Sequence, residues 1–440
     1  MNVPVAVAPG DSIPVNSDGA PTSPHAYPLS GRGGVIVGLL LLINVVNFVD
    51  RQLPFILIGS IKADLRLSDA QIGLMAGLSF AIVYSFAALP LAHIADRWSP
   101  RWVLILSLGT WSAMTAAAGL ANSFAHLVFA RAGVAASEAG CTPSAHALIA
   151  RLILPRRRAL ALAIFSIGVP IGSTLGLMLG GWINDVADWR TAFFVVGLPG
   201  LAIAMIAWLT LPRLPPAQTT RIAPPHFLAT VRHLFAMPSF RYMATASALY
   251  ACGSYAINVF APAFLMRVHG LTASQAGLRM GIVFGVGGLI GTFAGGVLAD
   301  KLAQRDEAWR QRLPAIGQWL SLPFAIVAWL TPNLDLAVFA LTISYMMGLL
   351  YFAPTFAAAQ SLVPDRIRAT ASAVLIFCLT IVGSSVGPLF VGWLSDLLVP
   401  TYGALSLRYA LCSMGVTITL SAIFFHLASR ALPGDMRRSL

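Results

Sequence analysis

The sequence contains few charged residues, because Asp, Glu, Lys and Arg make up only 10% of its 440 residues. Soluble globular domains carry about 25%, so this scarcity excludes an ordinary soluble protein. The hydrophobic share is 58%. About twelve apolar runs reach the length of roughly 20 residues that a helix needs to cross a bilayer. We therefore predict an all-α, multi-pass membrane protein.

Cysteine and catalytic motifs are also scarce. The four cysteines form no CxxC or Cys/His spacing, so we expect no metal ion and no cofactor. No HExxH pair, pair of catalytic aspartates or Ser/His pair is visible, and no glycine run ends in the Gly-Lys-Ser/Thr of a phosphate loop. We predict that the protein is not an enzyme. A polytopic membrane enzyme and a non-transporting sensor are the remote alternatives.

The first thirty residues contain no Lys or Arg and are rich in Pro, Gly and Ser. Without a basic start and an apolar core they do not form a signal peptide, and we predict a disordered cytoplasmic tail over residues 1–30. A first bundle is expected over 31–211, a linker over 212–240 and a second bundle over 241–430. A cytoplasmic tail over 431–440 follows.

The net charge of +12 is distributed in a way that indicates membrane topology. Arginines gather in alternate interhelical segments, for example around Arg156 and Arg213, and the intervening segments carry few. This bias follows the positive-inside rule. It predicts cytoplasmic N- and C-termini in the plasma (inner) membrane, and it gives no reason to expect nucleic acid as a partner.

An internal repeat divides the chain. The segment "LSDAQIGLMAG" (67–77) is similar to "LTASQAGLRMG" (271–281). Further matches pair Gly181, Trp182 and Asp185 with Gly392, Trp393 and Asp396. The repeat predicts two parallel six-helix bundles (6+6), with the substrate bound between them near the midplane and exposed to each side in turn by alternating access.

The loop "LPLAHIADRWSPR" resembles the signature loop of the major facilitator superfamily. Asp96, Arg97 and Arg101 match its acidic and basic positions, and "GGVLADK" repeats the pattern with Asp300. The resemblance implies that these four residues form an inner gate, with Asp96 meeting the N-terminus of a helix from the other bundle.

Within that superfamily the chain resembles the spinster-like transporters. The resemblance lies in "NFVDRQ", "LSDAQIGL", "ARAGVAASEAGCTPSAHALI" and "WRTAFFVVGLPG". It implies a proton-coupled transporter of lysolipid-like or sphingoid-like cargo, with proton sensing at Asp50, Arg51 and Glu138. A small aromatic or organic acid/proton symporter and a drug exporter of the same fold are the alternatives.

Ionisable residues inside apolar helices are costly and usually functional. At 1.5 Å per residue, Asp50 in the first helix and Arg131 in the fourth lie at similar depth, and Glu138 shares the face of Arg131 about 10 Å deeper. We predict that Asp50 pairs with Arg131 and that Asp50 and Glu138 take up protons in turn. A purely structural salt bridge is the alternative.

The same depth estimate adds Arg279 to this column, which leaves it net positive and suited to an anionic group. Polar-tipped aromatic residues could line a half-apolar pocket, although ordinary packing aromatics would have the same sequence. The predicted substrate-cavity residues are Asn47, Arg279, Tyr250, Tyr255, Asn258, Tyr345 and Tyr351.

Gly168, Gly172, Gly176 and Gly180 recur every fourth residue in the fifth helix. Small residues at this spacing allow two helix backbones to approach closely, so we predict a helix-packing role for them. The expected partners are membrane lipid, protons and a small-molecule or lipid-like substrate, and we expect a functional monomer.

Overall fold

The computed structural model describes residues 27–97, 99–213, 227–364 and 367–439. Within these ranges the chain is helical, and its sole β contact is an isolated bridge between Tyr27 and Ile153. Nine helices of this described part are long and apolar enough to cross a membrane. The protein is therefore a multi-pass helical membrane protein.

The first series of helices precedes residue 211. Its members are α1 (Arg32–Leu65), α2 (Asp69–Gly73), α3 (Ser79–Arg97), α4 (Pro100–Ala118), α5 (Phe124–Glu138), α6 (Cys141–Leu152), α7 (Pro155–Val186) and α8 (Trp189–Thr210). A π-helical segment, Leu74–Leu78, joins α2 to α3 in one continuous rod.

A short helix, α9 (Phe227–Ala236), lies within the predicted linker, whose residues 214–226 are outside the described part. The second series follows. Its members are α10 (Pro238–His269), α11 (Ala273–Ile282), α12 (Gly288–Ala303), α13 (Trp309–Leu330), α14 (Leu334–Gly348), α15 (Phe352–Ser361), α16 (Arg368–Cys378), α17 (Ser384–Tyr402), α18 (Ser406–Cys412) and α19 (Gly415–Ser439). π-helical segments join α11 to α12 and α16 to α17.

The repeated sequence "SDAQ"/"TASQ" begins a helix in both series. Ser68 accepts a hydrogen bond from the Gln71 amide, and the Gln71 side chain accepts one from the Ser68 amide, which makes a capping box at the start of α2. Thr272 and Gln275 make the same box at the start of α11. The repeat therefore preserves a helix-initiation signal that satisfies otherwise unpaired amides.

Glycines bring α7 close to α1. A Cβ atom added at Gly172 would lie 2.4 Å from the carbonyl oxygen of Val45, and one at Gly176 would lie 2.8 Å from that of Val49. Gly168 and Gly180 also lie against α1. Any larger residue would push the two backbones apart.

The second series repeats this contact between α10 and α17 together with the π-helical segment Leu379–Gly383 before it. A Cβ atom added at Gly387 would lie 1.9 Å from the carbonyl oxygen of Cys252, and one at Gly383 would lie 2.5 Å from the Cβ atom of Ala251. Both series thus contain the same glycine-mediated helix pair, which explains why the sequence repeat is richest in glycine there.

The helices define two ends of the molecule, named here after one residue each. The Asp69 end contains the α1–α2 and α10–α11 connections, and the Arg101 end contains the starts of α1 and α4. Tyr27 lies at the Arg101 end, where its amide donates to the Leu152 carbonyl oxygen over 2.7 Å. This bond ties the last part of the predicted tail to the bundle, while residues 1–26 are outside the described part.

Candidate functional site

A cluster of charged residues lies inside the first series of helices. Asp50 of α1 and Glu138 of α5 are each 1% exposed, and Arg131 of α5 is 3% exposed. Buried charges are tolerated where they are paired or satisfied by hydrogen bonds. The contacts of each member therefore indicate what the cluster can do.

Arg51 is the direct partner of Glu138. Its Nε atom donates to Glu138 Oε2 over 2.8 Å, and the Glu138 side chain is fully shielded whereas 24% of the Arg51 side chain is exposed. The second carboxylate oxygen of Glu138 is buried without a hydrogen-bond partner among the described residues. One arginine thus reaches from an accessible surface to a buried acid.

Aromatic rings hold both arginines of the cluster. The Arg51 guanidinium lies 5.4 Å from the centre of the Phe80 ring and 4.8 Å from that of Tyr84. Arg131 lies 4.8 Å from the same Phe80 ring, so one ring attracts two cations through its electron-rich face. The sequence analysis missed Phe80 and Tyr84, although their spacing of one helical turn beside "LSDAQIGL" was a usable signal.

Asp50 has no ion pair in the described structure, so the expected Asp50–Arg131 pair is not formed. Neither carboxylate oxygen has a hydrogen-bond partner there, and its polar neighbours are Glu138, Thr115 and Arg131. The depth estimate failed because consecutive residues on a helix point about 100° apart. It placed Asp50 and Arg51 at one level but did not resolve which of them faces α5.

Asn47 belongs to the charged cluster. It is 3% exposed and lies beside Glu138, one helical turn before Arg51. Its Nδ2 atom is buried without a hydrogen-bond partner among the described residues. The prediction of a cavity-lining role therefore changes to that of a buried neighbour of the acid.

Arg279 lies apart from this cluster and does not extend the predicted column. Its Nη1 atom bonds Asp335 Oδ1 over 2.9 Å, and the Asp335 side chain is 86% exposed. The pair joins α11 to the start of α14 near the Asp69 end. The depth estimate gave no direction around the helix axis, so it did not identify Asp335 as the partner of Arg279.

The predicted tyrosines separate into two groups. Tyr250 and Tyr351 are 6% and 4% exposed, with ring centres 4.8 Å apart, and they belong to the hydrophobic core of the second series. Tyr255 is 37% exposed, and Tyr345 is partly exposed beside Asn258. Only this second group can contact a solute without repacking of the core.

The predicted gate residues that can be described make contacts within their own series. Arg101 is buried and donates to the carbonyl oxygens of Trp208 and Leu211 at the end of α8. Asp300 is largely exposed, 3.9 Å from Arg310. The side chains of Asp96 and Arg97 lie outside the described residues.

Contacts between the two series occur at the opposite end, around Asp69. Its carboxylate bonds Lys62 of α1 over 2.6 Å and Arg267 of α10 over 2.7 and 2.8 Å, and it accepts a hydrogen bond from Ser395 of α17 over 2.9 Å. The Asp69 side chain is 1% exposed. Sequence analysis did not select Asp69, although it lies inside the repeated segment.

The described ranges contain no group of three or more His, Cys, Asp or Glu side chains that could hold a metal ion. The charges of the cluster are instead balanced by one another and by aromatic rings.

Comparisons with known proteins agree with this architecture. A match to the Major Facilitator Superfamily covers residues 40–388. An MFS-type efflux pump of Mycolicibacterium smegmatis is 37% identical over 92% of this chain and 94% of its own length. The sphingosine-1-phosphate transporter SPNS2 of Xenopus tropicalis is 23% identical over 91% of this chain and 82% of its own.

A solved structure gives the same result at the level of the fold. It is the crystal structure of a bacterial homologue of the human lysosomal transporter spinster, in an inward-facing and unoccupied conformation. It superposes with a TM-score of 0.85 and 30% identity, and the alignment covers 92% of this chain and 98% of that one.

The chain belongs to the major facilitator superfamily, a family of membrane transporters, which are not enzymes. Within it, the chain is a member of the spinster-like subgroup. The relatives imply a small-molecule or lipid-like substrate.

Proposed function

We propose that this transporter moves an anionic, amphipathic solute together with protons, and that Arg51 is the shared element. The supporting observation is the Arg51–Glu138 ion pair, in which the acid is fully shielded and the arginine is 24% exposed. A cation in this position can bind either the buried carboxylate or an anion that enters from the exposed side.

Protonation of Glu138 is the step that couples the two. A neutral Glu138 no longer attracts the guanidinium strongly, so Arg51 becomes available to the anionic group of the cargo. Conversely, loss of the proton restores the pair and displaces the cargo. Because the proton and the cargo both act on Arg51, binding of either one raises the affinity of the transporter for the other.

Asp50 is the second proton site in this proposal. Its carboxyl can carry a proton without breaking any contact, because neither oxygen has a hydrogen-bond partner among the described residues. Arg131 stays nearby in both states and offsets the charge when Asp50 is ionised. Asp50 therefore adjusts the net charge of the cluster, whereas Glu138 controls the arginine.

The proposed arrangement in the membrane has about twelve spans in two six-helix bundles, with both termini in the cytoplasm of the plasma (inner) membrane. The Asp69 end is then external. Contacts between the two series close that end, and the gate residues described at the other end bond only within their own series. The conformation is accordingly inward-facing, so protons and cargo reach Arg51 from the cytoplasm.

The proposed cargo has an acidic head and an apolar body. The exposed face of Arg51 suits the head, and the partly exposed Tyr255 and Tyr345 offer apolar surface with polar tips. A phosphorylated sphingoid base fits both parts, as does a lysolipid. A small aromatic acid fits the head site but uses less of the tyrosine surface.

The test uses purified protein in liposomes that contain the pH dye pyranine. Sphingosine 1-phosphate, lysophosphatidic acid, benzoate and the cation ethidium serve as probes. We expect the two anionic lipids to drive proton movement across the membrane, benzoate to do so less, and ethidium not at all.

Variants then separate coupling from cargo binding. Glu138→Gln should abolish proton movement driven by sphingosine 1-phosphate, while exchange of labelled for unlabelled lipid across the membrane continues. Asp335→Asn is the matched control, because it removes an exposed partner of Arg279 far from the cluster. Unchanged proton movement in Glu138→Gln, or ethidium transport that equals lipid transport, would contradict the proposal.

A further inference from the structure

The contacts at the Asp69 end come in two equivalent pairs, one for each half of the repeat. Asp396 of α17 accepts the Asp69 and Ala70 amides over 2.9 and 2.8 Å. Asp185 of α7 accepts the Ala273 and Ser274 amides over 3.2 and 2.8 Å. In both, an acid from one series caps the first turn of a helix in the other, where the helix dipole favours negative charge.

Glycines on the same helices bring the backbones together. A Cβ atom added at Gly392 would lie 2.2 Å from the carbonyl oxygen of Asp69, and one at Gly181 would lie 2.4 Å from that of Ala273. The paired glycines and acids recognised in the sequence repeat are therefore the residues of these two contacts. The geometry alone would make the contacts interchangeable.

The side chains at the two contacts, α17–α2 and α7–α11, differ. The residue that starts α2 is Asp69, whose buried carboxylate bonds two cations and Ser395, whereas the residue that starts α11 is Ala273. At the repeat position of Ser395 the other pair has Asn184, whose Oδ1 atom is buried without a hydrogen-bond partner among the described residues. One contact is reinforced by an ion cluster, and the other is not.

We infer that the Asp69 end opens asymmetrically: the α7–α11 contact separates first, and the α17–α2 contact is the hinge that releases last. The reason is the cost of exposing charge pairs. Separating α17 from α2 removes Ser395 from Asp69 and disturbs Arg267 of the second series, and a buried carboxylate that loses its partners is strongly destabilised. Separating α7 from α11 breaks the two amide bonds to Asp185 and the hydrogen bond from Thr174 Oγ1 to the Gly281 carbonyl oxygen, but it breaks no ion pair among the described residues.

The experiment measures distances between spin labels in nanodiscs, in protein whose four cysteines are replaced by alanine. One label pair at Val186 and Leu278 reports on α7–α11. A second pair at the repeat-equivalent positions Leu397 and Leu74 reports on α17–α2. Neither measurement needs cargo or a proton gradient, so its failure is distinguishable from failure of the proposed function.

In the unsubstituted protein we expect a larger long-distance population for the α7–α11 pair than for the α17–α2 pair. Asp69→Asn should raise the open-to-closed ratio of the α17–α2 pair by at least about tenfold, because two cations lose a shared buried partner. Ser395→Ala, which removes one hydrogen bond and keeps the ion pairs, should raise it by about threefold. This milder variant preserves the test if Asp69→Asn fails to fold.

Two comparisons make the asymmetry falsifiable. Asp64→Asn is the matched control, because Asp64 pairs with Arg190 over 2.6 Å within the first series, and we expect no change in either ratio. Asp185→Asn should raise the open-to-closed ratio of the α7–α11 pair several times more than Asp396→Asn raises that of the α17–α2 pair. The inference is overturned if the two aspartates have equal effects, if Asp64→Asn matches Asp69→Asn, or if Asp69→Asn changes nothing.

Discussion

The first and second series of helices share a scaffold but differ in what they place inside it. α1 has Asp50 and Arg51 in its central part, whereas α10 has no charged residue between Arg241 and Arg267. In that stretch α10 presents Tyr250 and Tyr255, together with Ser254 and Asn258.

This difference indicates a division of labour. The contact between α7 and α1 is built like that between α17 and α10, so the two series share this helix packing. The buried cluster of Asp50, Arg131 and Glu138 lies in the first series. The corresponding stretch of α10 in the second series presents neutral aromatic residues, which under the proposed function bind the apolar part of the cargo without competing for protons.

The largest expected effect concerns the charge pair of the first series. Glu138→Gln leaves Arg51 without its carboxylate partner and should destabilise the protein by about 3 kcal/mol, the low end of the range for breaking a buried pair because Arg51 is partly exposed. The double substitution Arg51→Gln with Glu138→Gln should recover much of that loss. Thermal unfolding in detergent, followed for both single variants and the double variant, gives the coupling between the two residues.

The two single variants and the double variant form a double-mutant cycle. Its control is the same cycle on the exposed pair of Arg279 and Asp335. Removing either side chain there should cost at most about 1 kcal/mol. Equal coupling energies in the two cycles would contradict the expectation that the Arg51–Glu138 pair stabilises the protein more than an exposed pair does.

Much of the fold was predictable because membrane physics leaves few options. Long apolar runs in the described part form helices, and the repeated "SDAQ"/"TASQ" signal marks the same helix start twice. The glycine spacing in α7 predicted a helix-packing role, and a Cβ atom added at Gly172 or Gly176 would lie within 3 Å of an α1 carbonyl oxygen. These features depend on local sequence and on period, both of which can be read without coordinates.

The partners of individual charges were not predictable. Asp50 was assigned the arginine that lies at its depth, whereas Arg51 makes the direct pair with Glu138. Arg279 was placed in the column but faces Asp335. Direction around a helix axis and the long reach of arginine decide such contacts, and neither follows from distance along the chain. The closed Asp69 end was missed because its charges looked like ordinary surface residues near helix ends.

The close-packed glycines of the two series differ in how near the neighbouring helix lies. Gly176→Ala and Gly387→Ala occupy corresponding places in the two series, but the added Cβ would lie 2.8 Å from Val49 in the first and 1.9 Å from Cys252 in the second. Overpacking of this kind costs about 1–3 kcal/mol, and we expect Gly387→Ala to cost more. Midpoints of thermal unfolding provide the measurement.

Gly38→Ala is the matched control, since a Cβ atom there meets nothing within 4 Å. It should leave the midpoint unchanged or raise it slightly, because alanine favours helix over glycine. A lower midpoint for Gly38→Ala than for Gly387→Ala would show that close approach is not what these glycines provide.

The smallest expected effect tests whether the second series contacts cargo without taking part in coupling. Tyr345→Phe removes one hydroxyl beside Asn258 and keeps the ring, so the loss is about one hydrogen bond, or 0.5–1.5 kcal/mol. Binding of sphingosine 1-phosphate should weaken by up to about tenfold, while the pH at which binding is half-maximal stays constant. Tyr84→Phe, which alters a ring against Arg51, should instead shift that pH. Equal shifts in both variants would mean that the tyrosines of the second series also report on the charged cluster, and the division between the two series would not hold.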